Sequence, residues 1–464
     1  MNESKPILVI GGGWAGLAAA VALSSRGLPV TLLESAKQVG GRARRSAFKP
    51  NVTLTHQSDS NGEHHSTTVD NGQHIFLGAY RSTLSLLKTI GVSERKLFRR
   101  HVLYMHMMEQ GKKPLRLKVG RLPAPLHLIT GLLSATGLER KDKIAALRFS
   151  REMARIHYHL PNDISCAELF RQHHQSQRLV SVMWEPLCLA ALNTQVDEAS
   201  AQLFLHTLRE SFTVNRSDSD YLFPRHDLGS LFPEPAIDYI ERQGGHVRLA
   251  TKVTKIHFQD HQLVGVSVDN ERIDTRHAII ATGYHAASRL LQEHQLLAPL
   301  CDDLSHLHSN PICSVYLQYP ERVSMGREIT GFVNAISQWA IDRSLCGNNG
   351  LLGVVISADG CHISWSNERL ARQVIDEMAH FFPKWPAPSE CMVVREKQAT
   401  FKCSVADNAL RPDNKTAITG LFLAGDYTST GLPGTLEGAI RSGLRSVDLL
   451  VGDLSRESNA RHFN

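Results

Sequence analysis

The sequence predicts an α/β protein in which one nucleotide-binding domain, discontinuous along the chain, carries an inserted mixed α+β domain. Two observations predict it: a glycine-rich turn between two short apolar segments at the N-terminus, and a short apolar segment near the C-terminus ending in Gly425-Asp426. At 464 residues the chain is long enough for two or three domains of about 150 residues each.

The N-terminal unit reads element by element. Pro6 to Ile10 (PILVI) is a continuous apolar run, as expected of a strand buried on both faces of a parallel sheet. Gly11, Gly13 and Gly16 then form G-x-G-x-x-G, followed by an alanine-rich helix from Leu17 to Arg26 that Gly27 closes. Pro29 to Leu33 supplies a second strand, with Glu34 at its end, 18 residues beyond the third glycine. Gly11 permits the turn, Gly13 lets the backbone approach a pyrophosphate, and Gly16 lets helix and strand pack closely. The helix N-terminus offers free N–H groups and about half a positive charge to phosphates. Glu34 suits the ribose hydroxyls and would repel a 2′-phosphate. The same apolar stretch, Ile7 to Leu23, also suggests a signal peptide or anchor, but Gly11-Gly12-Gly13 splits it and it falls short of the roughly 18 to 20 residues that span a bilayer.

Two further segments point to a flavin dinucleotide. Gly40-Gly41-Arg42 follows Glu34, where a guanidinium reaches a pyrophosphate. Gly420 to Tyr427 (GLFLAGDY) is a short strand running into a turn and helix at Gly431 to Gly443, which aims its positive end at the flavin edge that gains negative charge on reduction. Asp426 suits a ribityl hydroxyl. Residues 1–80, 228–284 and 404–464 are expected to form the cofactor domain, and 81–227 with 285–403 the inserted one.

In the inserted regions, 81–227 reads as mainly helical. Asp142 is expected to cap a helix running to Leu160, and Ser165 with Glu168 forms a capping-box pattern. Ile312 to Leu317 and Leu351 to Ile356 read as strands, followed by a helix over Asn367 to Phe381. Leu231 to Gln243 reads as a helix stopped by Gly244-Gly245, and the polar tail from Asp453 is expected to fray. No second nucleotide fingerprint follows the strand–turn–helix order, so electrons are expected from an external donor or from the substrate.

Composition narrows the rest. The 51 basic and 45 acidic residues give +6, spread without long like-charged runs, which disfavours nucleic acid as a partner. The eight cysteines include no CxxC pair, so a reducing, cytoplasmic setting is expected. No metal is expected; His64-His65 and His173-His174 lie in polar stretches and read as solvated.

These motifs resemble the flavin-containing amine oxidase and carotenoid desaturase superfamily. Val69 to Tyr80 (VDNGQHIFLGAY), Trp184 to Thr194 (WEPLCLAALNT) and Asp426 to Ala439 (DYTSTGLPGTLEGA) are similar, more narrowly, to the squalene-associated flavoprotein desaturases, the bacterial hydroxysqualene dehydroxylases. The resemblance implies a Rossmann-like FAD-binding domain and noncovalent FAD held by Gly11, Gly13, Gly16, Glu34, Gly41, Arg42, Val253, Gly283, Gly425, Asp426 and Leu436. It further implies reductive removal of an allylic hydroxyl from an apolar isoprenoid in a hopanoid or related triterpene pathway. An oxidative carotenoid-type desaturase or amine oxidase is the alternative; no cysteine follows Cys403 to carry a C-terminal thioether.

Reductive dehydroxylation needs an acid to make water the leaving group and a hydride to quench the allylic cation. His74, in Asp70 to His74 (DNGQH), is the first candidate proton donor, with Asp70 orienting it or capping a turn. Glu185, ahead of the apolar run Pro186 to Leu192, is the second, since burial would keep it protonated. Leu115 to Leu138 is leucine-rich with flanking cations, and reads either as a surface meeting a membrane interface or as a wall of the substrate pocket.

Overall fold

A computed structural model describes residues 5–54, 68–269 and 271–462; the pair His64-His65 lies outside them. Five parallel strands form the first sheet, in the spatial order His246–Arg248, Val30–Leu33, Ile7–Ile10, Ala278–Ile280, Leu421–Leu423. The N-terminal strand is central, with Leu8 opposite Thr31 on one side and Ala278 on the other, and all four of its residues are buried. Parallel neighbours need long crossovers. Here the crossover from Ile280 to Leu421 contains five of the seven strands of a second sheet. Helices Trp14–Ser25 and Leu436–His462 pack together over this first sheet, closely enough that a Cβ on Gly443 would sit 2.2 Å from the Ala15 carbonyl.

The second sheet has seven strands: Glu390–Phe401, Ser309–Gln318, Leu351–Ser357, Trp339–Asp342, Ile329–Phe332, Tyr104–Met108 and Leu115–Lys118. Helix Asn367–Phe381 covers one face, packing Leu370, Val374 and Met378 against Val315, Val354 and Ile356. The opposite face turns toward the cofactor domain.

Several expectations need correction. Region 81–227 is not simply helical: Phe98–His101, Tyr104–Met108, Leu115–Lys118 and Tyr221–Pro224 are strands. Tyr104–Met108 pairs in parallel with Ile329–Phe332, a contact over more than 200 residues that overrides weak local preference. Asp142 is the third residue of helix Arg140–Arg155 rather than its cap, and accepts the Glu139 N–H at 3.2 Å. That helix stops short of Leu160 because His157 and Tyr158 take left-handed φ values of 52° and 58°. Phe232, at φ −139°, separates Leu228–Leu231 from Pro233–Arg242, so Leu231 belongs to the earlier helix. The tail from Asp453 continues the last helix to His462. The Ser165 cap is present, its hydroxyl accepting the Glu168 N–H at 3.2 Å.

Candidate functional site

One cavity of about 1050 Å³ runs between the two sheets. At its first end the backbone itself makes the wall. Gly11 has φ +112°, and a Cβ there would lie 2.7 Å from the Ala281 carbonyl oxygen. A Cβ on Gly16 would lie 1.9 Å from the Gly11 carbonyl oxygen, so helix and strand meet at a distance only glycine permits. Gly13, just before helix Trp14–Ser25, has no chain atom within 4 Å of its Cβ position and opens onto the cavity. Gly41 has φ +60°, and a Cβ there would lie 3.2 Å from the Gly13 Cα. Glu34 lines the same wall, its carboxylate accepting the Gly12 N–H at 2.6 Å and the Ala36 N–H at 2.7 Å.

Val253, Gly283, Gly425, Asp426 and Leu436 join this end from the middle and far end of the chain. The guanidinium of Arg42 donates to Asp426 and, at 3.0 Å, to the Ala399 carbonyl, tying the two chain ends together. Asp426 holds the guanidinium charged, shifting its pKa further upward. The last helix begins at Leu436, where the Thr435 hydroxyl accepts the Gly438 N–H at 3.1 Å. Glu437 caps helix Arg81–Thr89, its carboxylate accepting the Ser82 and Thr83 N–H groups at 3.0 and 2.9 Å.

The second end is built from side chains: Phe204, Tyr221, Ile312, Trp339, Ile341 and Val355. The apolar run after Glu185 forms helix Glu185–Leu192 and contributes Leu187, Leu189, Ala190 and Ala191 to the wall. Glu185 itself does not line the cavity; burial and the nearby Asp197 carboxylate push its carboxyl pKa up, away from any reacting group. Glu185 is the first residue of its helix, one turn before Leu189 on the same face, and lies beyond the edge of the wall. None of Leu115 to Leu138 lines the cavity, which removes the pocket-wall reading of that segment.

The loop after strand Thr68–Asp70 supplies Asn71 through Ile75 to the wall. His74 Nδ1 lies 2.9 Å from the Gly72 carbonyl oxygen, which assigns the proton to Nδ1 and leaves Nε2 to titrate. Burial lowers the pKa of His74, opposed by the Asp70 charge. Asp70 is 1% exposed and off the cavity. One of its carboxylate oxygens accepts the Leu228 N–H at 2.8 Å, and the other pairs with Arg343 at 3.2 Å. Asp70 therefore anchors the loop instead of facing a substrate. Arg343 also donates to Gln73 Oε1 at 3.1 Å, and Gln73 rests where Gly353 leaves room, since a Cβ there would come within 2.6 Å of it.

Sequence reasoning missed Arg343, Gln73 and the cavity strands. Trp339 with Ile341, and Val355 with Ser357, do alternate as strand residues facing one side should. Their alternates Ala340, Val354 and Ile356 are equally apolar because the other face is covered by a helix, so no polarity contrast marks the cavity side. Arg343 gives no local signal at all, its partner lying 273 residues away.

The site fits a dinucleotide: Gly13 and Gly283 leave open the space that a Cβ would fill, and Glu34 stands at the strand end. Among the described residues no cluster of three His, Cys, Asp or Glu could hold a metal ion, and no helix is long and apolar enough to cross a membrane.

A family model described as flavin containing amine oxidoreductase matches residues 14–451. A hydroxysqualene dehydroxylase of Sinorhizobium fredii is 28% identical over 459 residues, covering 97% of this chain and 99% of that protein. A 15-cis-phytoene desaturase of Solanum lycopersicum is 24% identical over 475 residues, covering 97% of this chain and 79% of that protein. Among solved structures, cyclohexylamine oxidase from Brevibacterium oxydans superposes with a TM-score of 0.67 at 16% identity, over 97% of this chain and all of that one, a likeness of fold.

Proposed function

The chain belongs to the flavin containing amine oxidoreductase family, and from that premise we propose that it removes the allylic hydroxyl of hydroxysqualene reductively, giving squalene and water. The observation that carries the reading is a single cavity whose glycine-walled end fits FAD and whose other end is apolar. The near full-length likeness to a hydroxysqualene dehydroxylase supports the substrate class.

FAD in its reduced form, when bound, supplies the hydride that replaces the departing hydroxyl. Gly11, Gly13, Gly16 and Gly41 would shape its backbone cradle, Glu34 would hold the ribose, and Arg42 with Asp426 and Leu436 would close the far side. Phe204, Trp339, Ile341 and Val355 hold the isoprenoid chain and keep water away from the reacting carbon. His74 holds the proton at Nε2 when charged and passes it to the hydroxyl oxygen; its lowered pKa makes it a stronger acid, present in smaller amount at neutral pH. Asp70, through Arg343 and Gln73, positions the His74 loop. An external donor restores two electrons per turnover.

Purified protein incubated with reduced FAD and hydroxysqualene is expected to form squalene, read by mass spectrometry. Bound flavin without squalene, together with conversion of phytoene by the oxidised protein, would favour an oxidative desaturase instead.

A further inference from the structure

Five of the eight large apolar side chains exposed among the described residues gather on one surface of the inserted domain: Leu122, Leu126, Leu133, Ile144 and Val214, each 45% to 54% exposed. Leu126 and Leu133 are seven residues apart on helix Leu126–Ser134, two turns along one face. The neighbouring pieces are tied to one another. Lys143 Nζ donates to the Leu133 carbonyl at 2.7 Å, His127 Nε2 meets the Ser219 hydroxyl at 3.1 Å, and Arg216 Nε reaches the Gly120 carbonyl at 3.5 Å.

Charge around this surface is one-sided. Residues 116–148 carry seven cations, among them Lys118, Arg121, Arg140, Lys141 and Arg148, against two acids. Of those acids Asp142 is buried, leaving Glu139, which pairs with Lys141 at 2.9 Å.

We propose that this surface docks on the anionic headgroups of a membrane leaflet, with the leucines entering the interface and the cations ringing them. A second copy of the chain fits poorly, because it would set one cationic rim against another. A leaflet supplies both the apolar layer and the negative charge. The surface is also continuous with the site, since helix Ala201–Phe212 gives Leu208 and Phe212 to the cavity wall and runs directly into Val214. An apolar substrate dissolved in the leaflet therefore lies one chain segment from the cavity.

The test is co-sedimentation of the full chain with vesicles of phosphatidylcholine alone, and with one part phosphatidylglycerol to three of phosphatidylcholine. Binding is expected only to the anionic vesicles and is expected to weaken with added salt. Leu126→Glu/Leu133→Glu should weaken it about tenfold or more, and Lys118→Glu/Arg121→Glu should abolish the phosphatidylglycerol preference. Both variants should keep the native circular dichroism and turn over detergent-dispersed substrate like the parent. Equal partition of the parent and both variants would overturn the proposal. So would a parent dimer, seen by sedimentation without lipid, that L126E/L133E dissolves. Vesicle binding without squalene formation would sink the proposed reaction while leaving this docking surface standing.

Discussion

The two ends of the cavity are built by opposite means. At the cofactor end, main-chain atoms approach one another so closely that side chains must be absent, as at Gly11 and Gly16. At the substrate end the main chain stands back and the wall consists of side chains such as Trp339, Ile341 and Val355. Backbone contact tolerates no added atom, whereas a wall of apolar side chains loses or gains volume in small steps. One end is therefore fixed by geometry and the other tuned by composition.

The largest way to break this contrast is Gly16→Val. With a Cβ placed 1.9 Å from the Gly11 carbonyl oxygen, the variant is expected to lose bound flavin completely and to yield little folded protein, checked by the visible spectrum and circular dichroism. His74→Gln, at the loop on the cavity wall, should retain flavin but lower squalene formation by about 10²–10⁴-fold. The pH profile sharpens that test. Burial sets the His74 pKa below 6.5, and the charged imidazole is the donor, so activity is full below that pKa and falls as pH rises through it. A limb of the rate profile lying at or above 6.5 would point to another acid.

Asp70→Asn leaves Arg343, itself 4% exposed, without its buried counter-charge. Stability should fall by about 3–5 kcal/mol in denaturant unfolding, while kcat per folded molecule falls less than in His74→Gln because the acid itself remains; a loss of kcat as large as that of His74→Gln at full stability would return Asp70 to the reacting groups. The smallest effect is expected at the side-chain end. Val355→Ala removes two methylene equivalents from the wall, about 1.5 kcal/mol or roughly tenfold in KM at about 0.8 kcal/mol each, with flavin affinity unchanged in a titration.

The contrast also explains what could be read without coordinates. Gly11, Gly13, Gly16 and Glu34 were legible because covalent spacing alone fixes a strand, a tight turn and a helix within thirty residues. The Ser165 cap was legible for the same reason: three residues separate the hydroxyl from the N–H it accepts. Glu185 misled because an apolar run told that its helix borders the cavity but not where along the helix the wall begins. Leu115 to Leu138 left two readings open, and only the packing of Leu115–Lys118 onto the outer edge of the second sheet put the leucines outside the cavity.

By itself, the sequence determined the N-terminal strand, glycine turn and helix, and with them the class of fold, since that unit rests on backbone constraints between near neighbours. Tertiary structure alone decided that Arg42 meets Asp426 across 384 residues, that Arg343 neutralises Asp70 across 273, and that His74 rather than Glu185 faces the cavity. Those outcomes depend on where helices sit and how distant strands pair, and such choices are made by burial of the whole chain, which no short stretch of residues encodes.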